Sequence, residues 1–251
     1  MARDLGKGHS GSSRTATGRV RSGGKRRQGA LNRETIVAAA LSEIDRNGLE
    51  GFSLRGLAKT LKVYPSAIVW HVSGRTSLLA DAASLALADI LPPGFPDSWQ
   101  GYLRDFFHRF REALRRHPNV APLIGAQLVA NRAVDFEFVE RLLAALAHAG
   151  LSGPKLAGAY SAVMAALVGF TTQEFAPLPV EDTTSWQRDI QDRLLKADAR
   201  KYPTLVKNMK SLGNKTFILR WQNGTEVPMD EAFDILVDIV IAGLERLVSG
   251  S

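Results

Sequence analysis

The chain has no cysteine in 251 residues, so disulfides, thiolate metal sites and thiol redox sensing are excluded. Its five histidines, His9, His71, His108, His117 and His148, form no His-x-x-x-His pair. A phosphate-cradling glycine loop and a nucleophile-elbow motif are also missing, so nothing in the sequence points to an enzyme or to a cofactor. No apolar run approaches the ~18 residues of a membrane span, and no apolar stretch of a secretory signal opens the chain. These absences predict a soluble, cytoplasmic protein.

Acid is what the first thirty residues lack. They hold eight Lys or Arg against Asp4 alone, an imbalance that accounts for the whole formal charge of +7 and leaves the remaining body neutral. Basic residues dispersed among Gly, Ser and Thr cannot bury enough surface to offset the entropy of ordering. Residues 1–29 are therefore expected to be a disordered basic arm. Such an arm is either a solubilising tail or a segment placed to follow DNA phosphates or enter a minor groove. The rest is long enough, with 45% hydrophobic residues in the whole chain, to bury an ample core in one or two domains.

What is present is a helix-turn-helix. Asn32 caps a helix carrying Ile36, Val37, Ala40, Leu41 and Ile44 on one side, and Gly48 offers a left-handed stop. Ser53 caps the next, where Leu54, Leu57, Ala58 and Leu61 recur at helical spacing. Residues 62–65 interrupt it, and Pro65 suits the first turn of a short recognition helix ending near Val72. A fourth helix from Arg75 to about Leu91 is stopped by Pro92 and Pro93. Later patterns predict helices from a Ser98 cap to His117, over 120–129 and 135–149, from Pro154 to about Ala176, from Trp186 to about Arg200, after Pro203, and from an Asp230 cap to Val248, with residues 211–228 irregular.

The residues IVAAALSEIDRNGLEGFSLRGLAKTL, then VWHV, then GRTSLL resemble the DNA-binding domain of the tetracycline-repressor (TetR) family of bacterial regulators. SWQGYLRDFFHRFREAL, GLSGPKLAGAYSAV and AFDILVDIVIAGLERL are similar to the regulatory half of its tetracycline-binding members, so the resemblance covers roughly 31–248. It implies an all-α fold of about nine to ten helices. A helix-turn-helix DNA-binding domain at 30–91, with the motif itself at about 53–72, precedes a ligand-binding and dimerisation domain at 98–248.

The resemblance also implies a dimeric repressor, paired through helices at about 154–176 and 230–248, that leaves a palindromic operator when a small effector binds. A nonspecific architectural DNA-binding protein, its affinity supplied by the arm, is the alternative. On DNA, Arg55 stands where the family has a guanine-reading arginine, and an arginine fork matches guanine O6 and N7. Ser53, Leu54, Pro65, Ser66, Ala67, Val69, Trp70 and His71 complete the expected reading surface, with Trp70 open to a core-filling alternative. Arg75 replaces a phosphate-binding lysine. Val69 replaces the family's usual tyrosine, and Lys62 its turn glycine.

In the tetracycline-binding members a drug–magnesium complex is held by a histidine and a carboxylate, whose positions fall here on Ile124 and Gln173. Magnesium wants oxygen ligands and Ile124 offers none, so that metal–drug chemistry is expected to be lost. The remaining lining, Phe106, Phe107, Phe110, Ile124, Phe136, Met164 and Phe170 with Gln127 and Gln173 as polar handles, suits a small, largely apolar effector. The same aromatics are equally the makings of a closed core.

Overall fold

Asn32 opens the first described helix with a reciprocal cap. Its Oδ1 accepts from the Thr35 N–H at 2.8 Å, and Thr35 Oγ1 accepts from the Asn32 N–H at 3.1 Å, satisfying donors that a helix start leaves orphaned. The computed structural model describes residues 31–94, 98–130, 136–178 and 182–250, and for 126–130 the backbone alone. The expected basic arm at 1–29 lies outside the described residues. From Asn32 onward the contacts make one compact unit, with eleven α-helices and no strand among the described residues, one or two helices more than expected.

The first four are α1 (Arg33–Gly51), α2 (Leu54–Leu61), α3 (Pro65–His71) and α4 (Arg75–Ala86). Gly48 takes φ 67°, as its stop role requires, but one further turn follows before Phe52 closes α1. Ser53 Oγ accepts from the Gly56 N–H at 3.0 Å, and Pro65 opens α3 at its first position. Seven residues cannot hold a helix alone, so α3 depends on Ile68 and Val72, which are buried with Ile36, Ile44, Leu57 and Leu78. Each such aliphatic contributes ~1.5–3 kcal/mol. Arg33 adds a two-oxygen grip on Asp81 at 2.8 Å, tying α1 to α4.

Lys62, closing α2, has φ 56° and ψ 41°, the left-handed conformation that its Cβ disfavours. Glycine removes that penalty, so Lys62→Gly is expected to raise stability by about 1 kcal/mol and the thermal midpoint by ~2–4 °C. A thermal melt showing no rise would mean that the lysine stem makes a compensating contact.

The fourth helix ends at Ala86, short of the expected Leu91. Leu87 shares its N–H between the carbonyls of Ala83 and Ser84 at 3.2 Å each, and the chain then turns to bury Ile90 and Pro92. Arg141 pins this connection by donating to the carbonyls of Pro92 and Gly94.

Beyond it come α5 (Trp99–Arg116), a 3₁₀ turn (Pro118–Val120), α6 (Ala121–Ala130), α7 (Phe136–His148), α8 (Gly153–Glu174), α9 (Thr183–Leu195), α10 (Pro203–Leu212) and α11 (Asp230–Ser249). Helices α5 and α11 run antiparallel, as their cross-links show: Arg104 to Asp238 at 2.6 Å, His108 to Asp234 at 3.6 Å and Arg115 to Asp230 at 2.7 Å. Exposed pairs of this kind contribute ~0–1 kcal/mol each, so they set register more than stability.

Three sequence expectations need correcting. Helix α9 begins at Thr183 rather than Trp186, because Asp182 caps it by accepting from the Ser185 N–H at 3.1 Å, and it closes at Lys196, short of Arg200. Asp230 is the first residue of α11 and Met229 its cap position, the Asp230 carboxylate being engaged by Arg111 and Arg115 instead. Finally, α8 is long and apolar enough to cross a membrane by length and composition. Here it packs against α5, α6, α7 and α11, burying Val163, Met164, Leu167 and Phe170.

Candidate nucleic-acid interface and ligand site

The helix-turn-helix turns a basic and partly apolar surface outward. Ile68 anchors the inner side of α3, while Pro65, Ser66, Val69 and Trp70 are exposed and Ala67 and His71 half-buried. Trp70, for which the sequence left a core position open, is 83% exposed. The His71 ring stands edge-on to it with centroids 4.8 Å apart. Tyr64, which the sequence reading passed over, is also 83% exposed; an aromatic directly before the proline of a recognition helix was the available signal.

On α2, Ser53 and Arg55 are exposed and Leu54 half-buried. Between Ser53 and Arg75 the chain carries Arg55, Lys59, Lys62 and Arg75 and no carboxylate. Arg55, Lys59 and Lys62 have no ion-pair partner among the described residues. Arg75 also does structural work, donating to the Leu49 carbonyl at 3.2 Å with its guanidinium 5.8 Å from the Phe52 ring centroid. Its remaining N–H groups leave it able to meet a phosphate.

The face is braced from behind by Glu43 of α1, a buried carboxylate that accepts from Thr60 Oγ1 on α2, from Asn47 Nδ2 at 2.8 Å and from Arg46 at 3.1 Å. The Thr60 hydroxyl is the largest influence on this carboxyl. With Arg46 and Asn47 it outweighs burial and holds the group below its ordinary value of about 4.5. A carboxyl whose folded pKa is depressed contributes stability above the unfolded value and loses it as pH falls through the folded one. Glu43→Gln is therefore expected to flatten the loss of stability below about pH 4.5, measured as urea midpoint against pH.

The far end of α1 is held by the turn after α5. His117 Nδ1 lies 2.9 Å from Asp45 Oδ2, and Asn119 Nδ2 donates to the carbonyls of Ile44 and Asp45 at 3.1 and 3.0 Å. Helix α4 also packs against α6. Helices α1 and α4, which support α2 and α3, are thus joined to the later helices through a polar clasp and a packed contact.

The expected apolar lining divides. Phe106, Phe107, Phe110, Ile124, Met164 and Phe170 are all buried, and the phenylalanines belong to one cluster. Phe106 lies 6.2 Å from Phe107 and 6.3 Å from Phe110, while Phe233 of α11 bridges Phe107 at 6.3 Å and Phe170 at 5.2 Å. Phe233 was missed as a partner because nothing local in sequence joins α11 to this layer. Phe136 does not join the cluster: at the start of α7 it is 81% exposed. Gln173 is exposed and donates to the Gly169 carbonyl at 3.1 Å, and the Gln127 side chain lies outside the described residues.

Beside the cluster sits a pair the sequence did not disclose. Arg111 of α5 is 5% exposed and Glu174 of α8 is fully buried, and they meet through two bonds, Nε to Oε2 at 2.8 Å and an NH2 bond to Oε1 at 2.6 Å. Glu174 Oε1 also accepts from the Met229 N–H at 3.0 Å, and Arg111 covers the Phe233 ring at 4.6 Å. Burial opposes the charged form of Arg111, and its bonds to Glu174 and Asp230 outweigh that to raise its pKa.

An open groove of about 690 Å³ has Arg111 of this pair in its wall, with Asp89 after α4, Arg109, Arg115 and Arg116 of α5, and Asp230 and Asp234 of α11. Its mixed charges differ from the apolar lining expected of the effector site. A magnesium ion does not fit the aligned positions: Ile124 has no donor atom, Gln173 turns its amide to its own helix, and Glu174 is committed to Arg111.

A model of the tetracyclin repressor-like C-terminal domain matches residues 92–248. An HTH-type transcriptional regulator of Saccharopolyspora erythraea is 29% identical over 186 residues, 73% of this chain and 77% of the relative. A TetR transcriptional regulator from Streptomyces coelicolor superposes with TM-score 0.66 at 25% identity, covering 86% of this chain and 99% of the other. BioQ, solved with its double-stranded DNA operator, gives TM-score 0.54 at 27% identity, over 64% of this chain and 94% of BioQ.

Proposed function

The chain belongs to the tetracycline-repressor family of transcriptional regulators, and from that premise we propose that it is a homodimeric repressor released from a palindromic operator by a small effector. The observation that carries this reading is the outward face of α2 and α3, basic, free of acid and held rigid by Ile68 and Glu43. Two such faces related by a two-fold axis reach half-sites about one turn, ~34 Å, apart.

Residues 30–91 then form the reading head and 98–248 the regulatory domain. The outer side of α8 presents Gly158, Ser161, Ala162 and Ala165, small enough for close helix approach. Helix α11 adds Ile235 and Ile239, 52% and 64% exposed, and a second copy of the same two helices covers both. The buried Phe106, Phe107, Phe110 and Phe170 line the interior layer, so an effector entering there has to displace side chains. The Asn119 clasp and the α4–α6 packing pass that displacement to the head. The reading assigns no catalysis and no metal, in keeping with Ile124, and it places the protein in the cytoplasm with its DNA.

Titration of the full chain against DNA upstream of its own gene, with shuffled duplex as competitor at ~0.15 M salt, tests this. Two chains per duplex and preference for one symmetric site are expected. Equal binding of both duplexes would favour the architectural alternative.

A further inference from the structure

The recognition helix lacks the side chains that usually grip purines. Pro65–His71 contains no Arg, Lys, Asn or Gln, the residues that pair two hydrogen bonds with guanine or adenine in the major groove. With Ile68 facing inward, steps of ~100° per residue place Ser66 and Trp70 outermost, with Val69 and Ala67 beside them; Pro65 is exposed as the first residue of the helix.

Three of the exposed large apolar side chains, Tyr64 (83%), Val69 (53%) and Trp70 (83%), fall within seven consecutive residues at this tip. Apolar surface concentrated in this way marks a contact site. The surrounding charges identify the kind of partner. Along the chain Arg55, Lys59 and Lys62 precede the apolar tip and Arg75 follows it, all four exposed and none within it, a pattern suited to a polyanion that presents something apolar between its phosphates. On duplex DNA the apolar group displayed on base edges in the major groove is the thymine 5-methyl.

We propose that α3 reads its half-site chiefly through thymine methyl groups, contacted by Val69 and the outermost Trp70 with Tyr64 and Pro65 closing the N-terminal end, while Arg55 alone supplies a guanine-reading fork. This rests on the DNA-regulator reading and narrows it: the base pairs under α3 are A·T, oriented with their methyls toward Val69.

The test uses the full chain. Duplexes enriched from a random-sequence library are resynthesised with uracil replacing each thymine in turn, which removes only the methyl, and affinities are measured by fluorescence anisotropy for wild type and Val69→Ala. Loss of one buried methyl contact is expected to weaken binding about fourfold. That loss should appear at symmetric positions in both half-sites, and in Val69→Ala it should shrink toward nothing at the position under residue 69 in each. Unchanged affinity at every uracil, or an enriched half-site with only G·C pairs under α3, overturns the inference and leaves the regulator reading standing. Failure to enrich any sequence overturns both.

Discussion

Arg111→Ala is expected to cost about 3–5 kcal/mol of stability, the range for removing one partner of a buried pair. Glu174 would keep one bond, from the Met229 N–H at 3.0 Å, and would lose its directly bonded cation, leaving only the electrostatic influence of Arg220. The guanidinium also covers the Phe233 ring at 4.6 Å, so truncation removes packing as well as charge. At ~2–4 °C per kcal/mol for a chain of this size, the melting midpoint should fall by roughly 6–20 °C at fixed protein concentration.

The double variant Arg111→Met with Glu174→Gln separates charge from shape, because replacing both partners is often nearly neutral. A single variant no worse than the double would sink this account. Gly224 supplies a second handle: its N–H donates to the Glu174 carbonyl at 2.7 Å, and a Cβ there would collide with Glu174 Cγ while lying 2.9 Å from that carbonyl oxygen.

The same pair shows where sequence reading stops. Caps are local chemistry, and Asn32, Ser53, Pro65 and Ser98 were legible because each acts on residues three or four positions away. Arg111 and Glu174 are 63 residues apart, and neither carries a mark that names the other. No local pattern assigns Glu174 a partner, and the structure supplies the use it has. The end of α4 failed for a related reason: the apolar period continues through Ile90, but what ends the helix is the burial of Pro92 and its bond from Arg141, 49 residues on.

The site was legible in its backbone and less so in its surface. Spacing placed α2 and α3 but did not decide whether Trp70 pointed in or out, since a seven-residue helix has too few turns to define a face. Ile68 decides it by being the buried member. For the interior, apolar residues at helical spacing announce burial without saying whether they enclose space. Phe106 and Phe110 turned inward as their spacing required, whereas Phe136, on the first turn of α7, is too near the helix end for its period to bind it.

Arg55→Ala is the change expected to reach furthest into function. The side chain is exposed on α2 with no ion-pair partner among the described residues, so removing it leaves the fold intact. On the proposed reading, what disappears is the guanidinium fork that matches guanine O6 and N7, with ~1–3 kcal/mol of discrimination per half-site, Arg75 being engaged with the Leu49 carbonyl. A dimer loses it twice, ~2–6 kcal/mol in all, a drop in operator affinity of roughly 30-fold to more than 10,000-fold. The loss should be confined to one base pair per half-site, so that a duplex changed at that pair binds wild type and variant alike. Lys59, one turn along on the same face, provides the contrast: Lys59→Ala should weaken all duplexes evenly and lower the salt slope by about one per head. If Arg55→Ala instead behaved like Lys59→Ala, uniform across sequences and visible mainly in the salt slope, Arg55 would be a phosphate clamp. The half-site would then have to be read entirely by the apolar tip of α3.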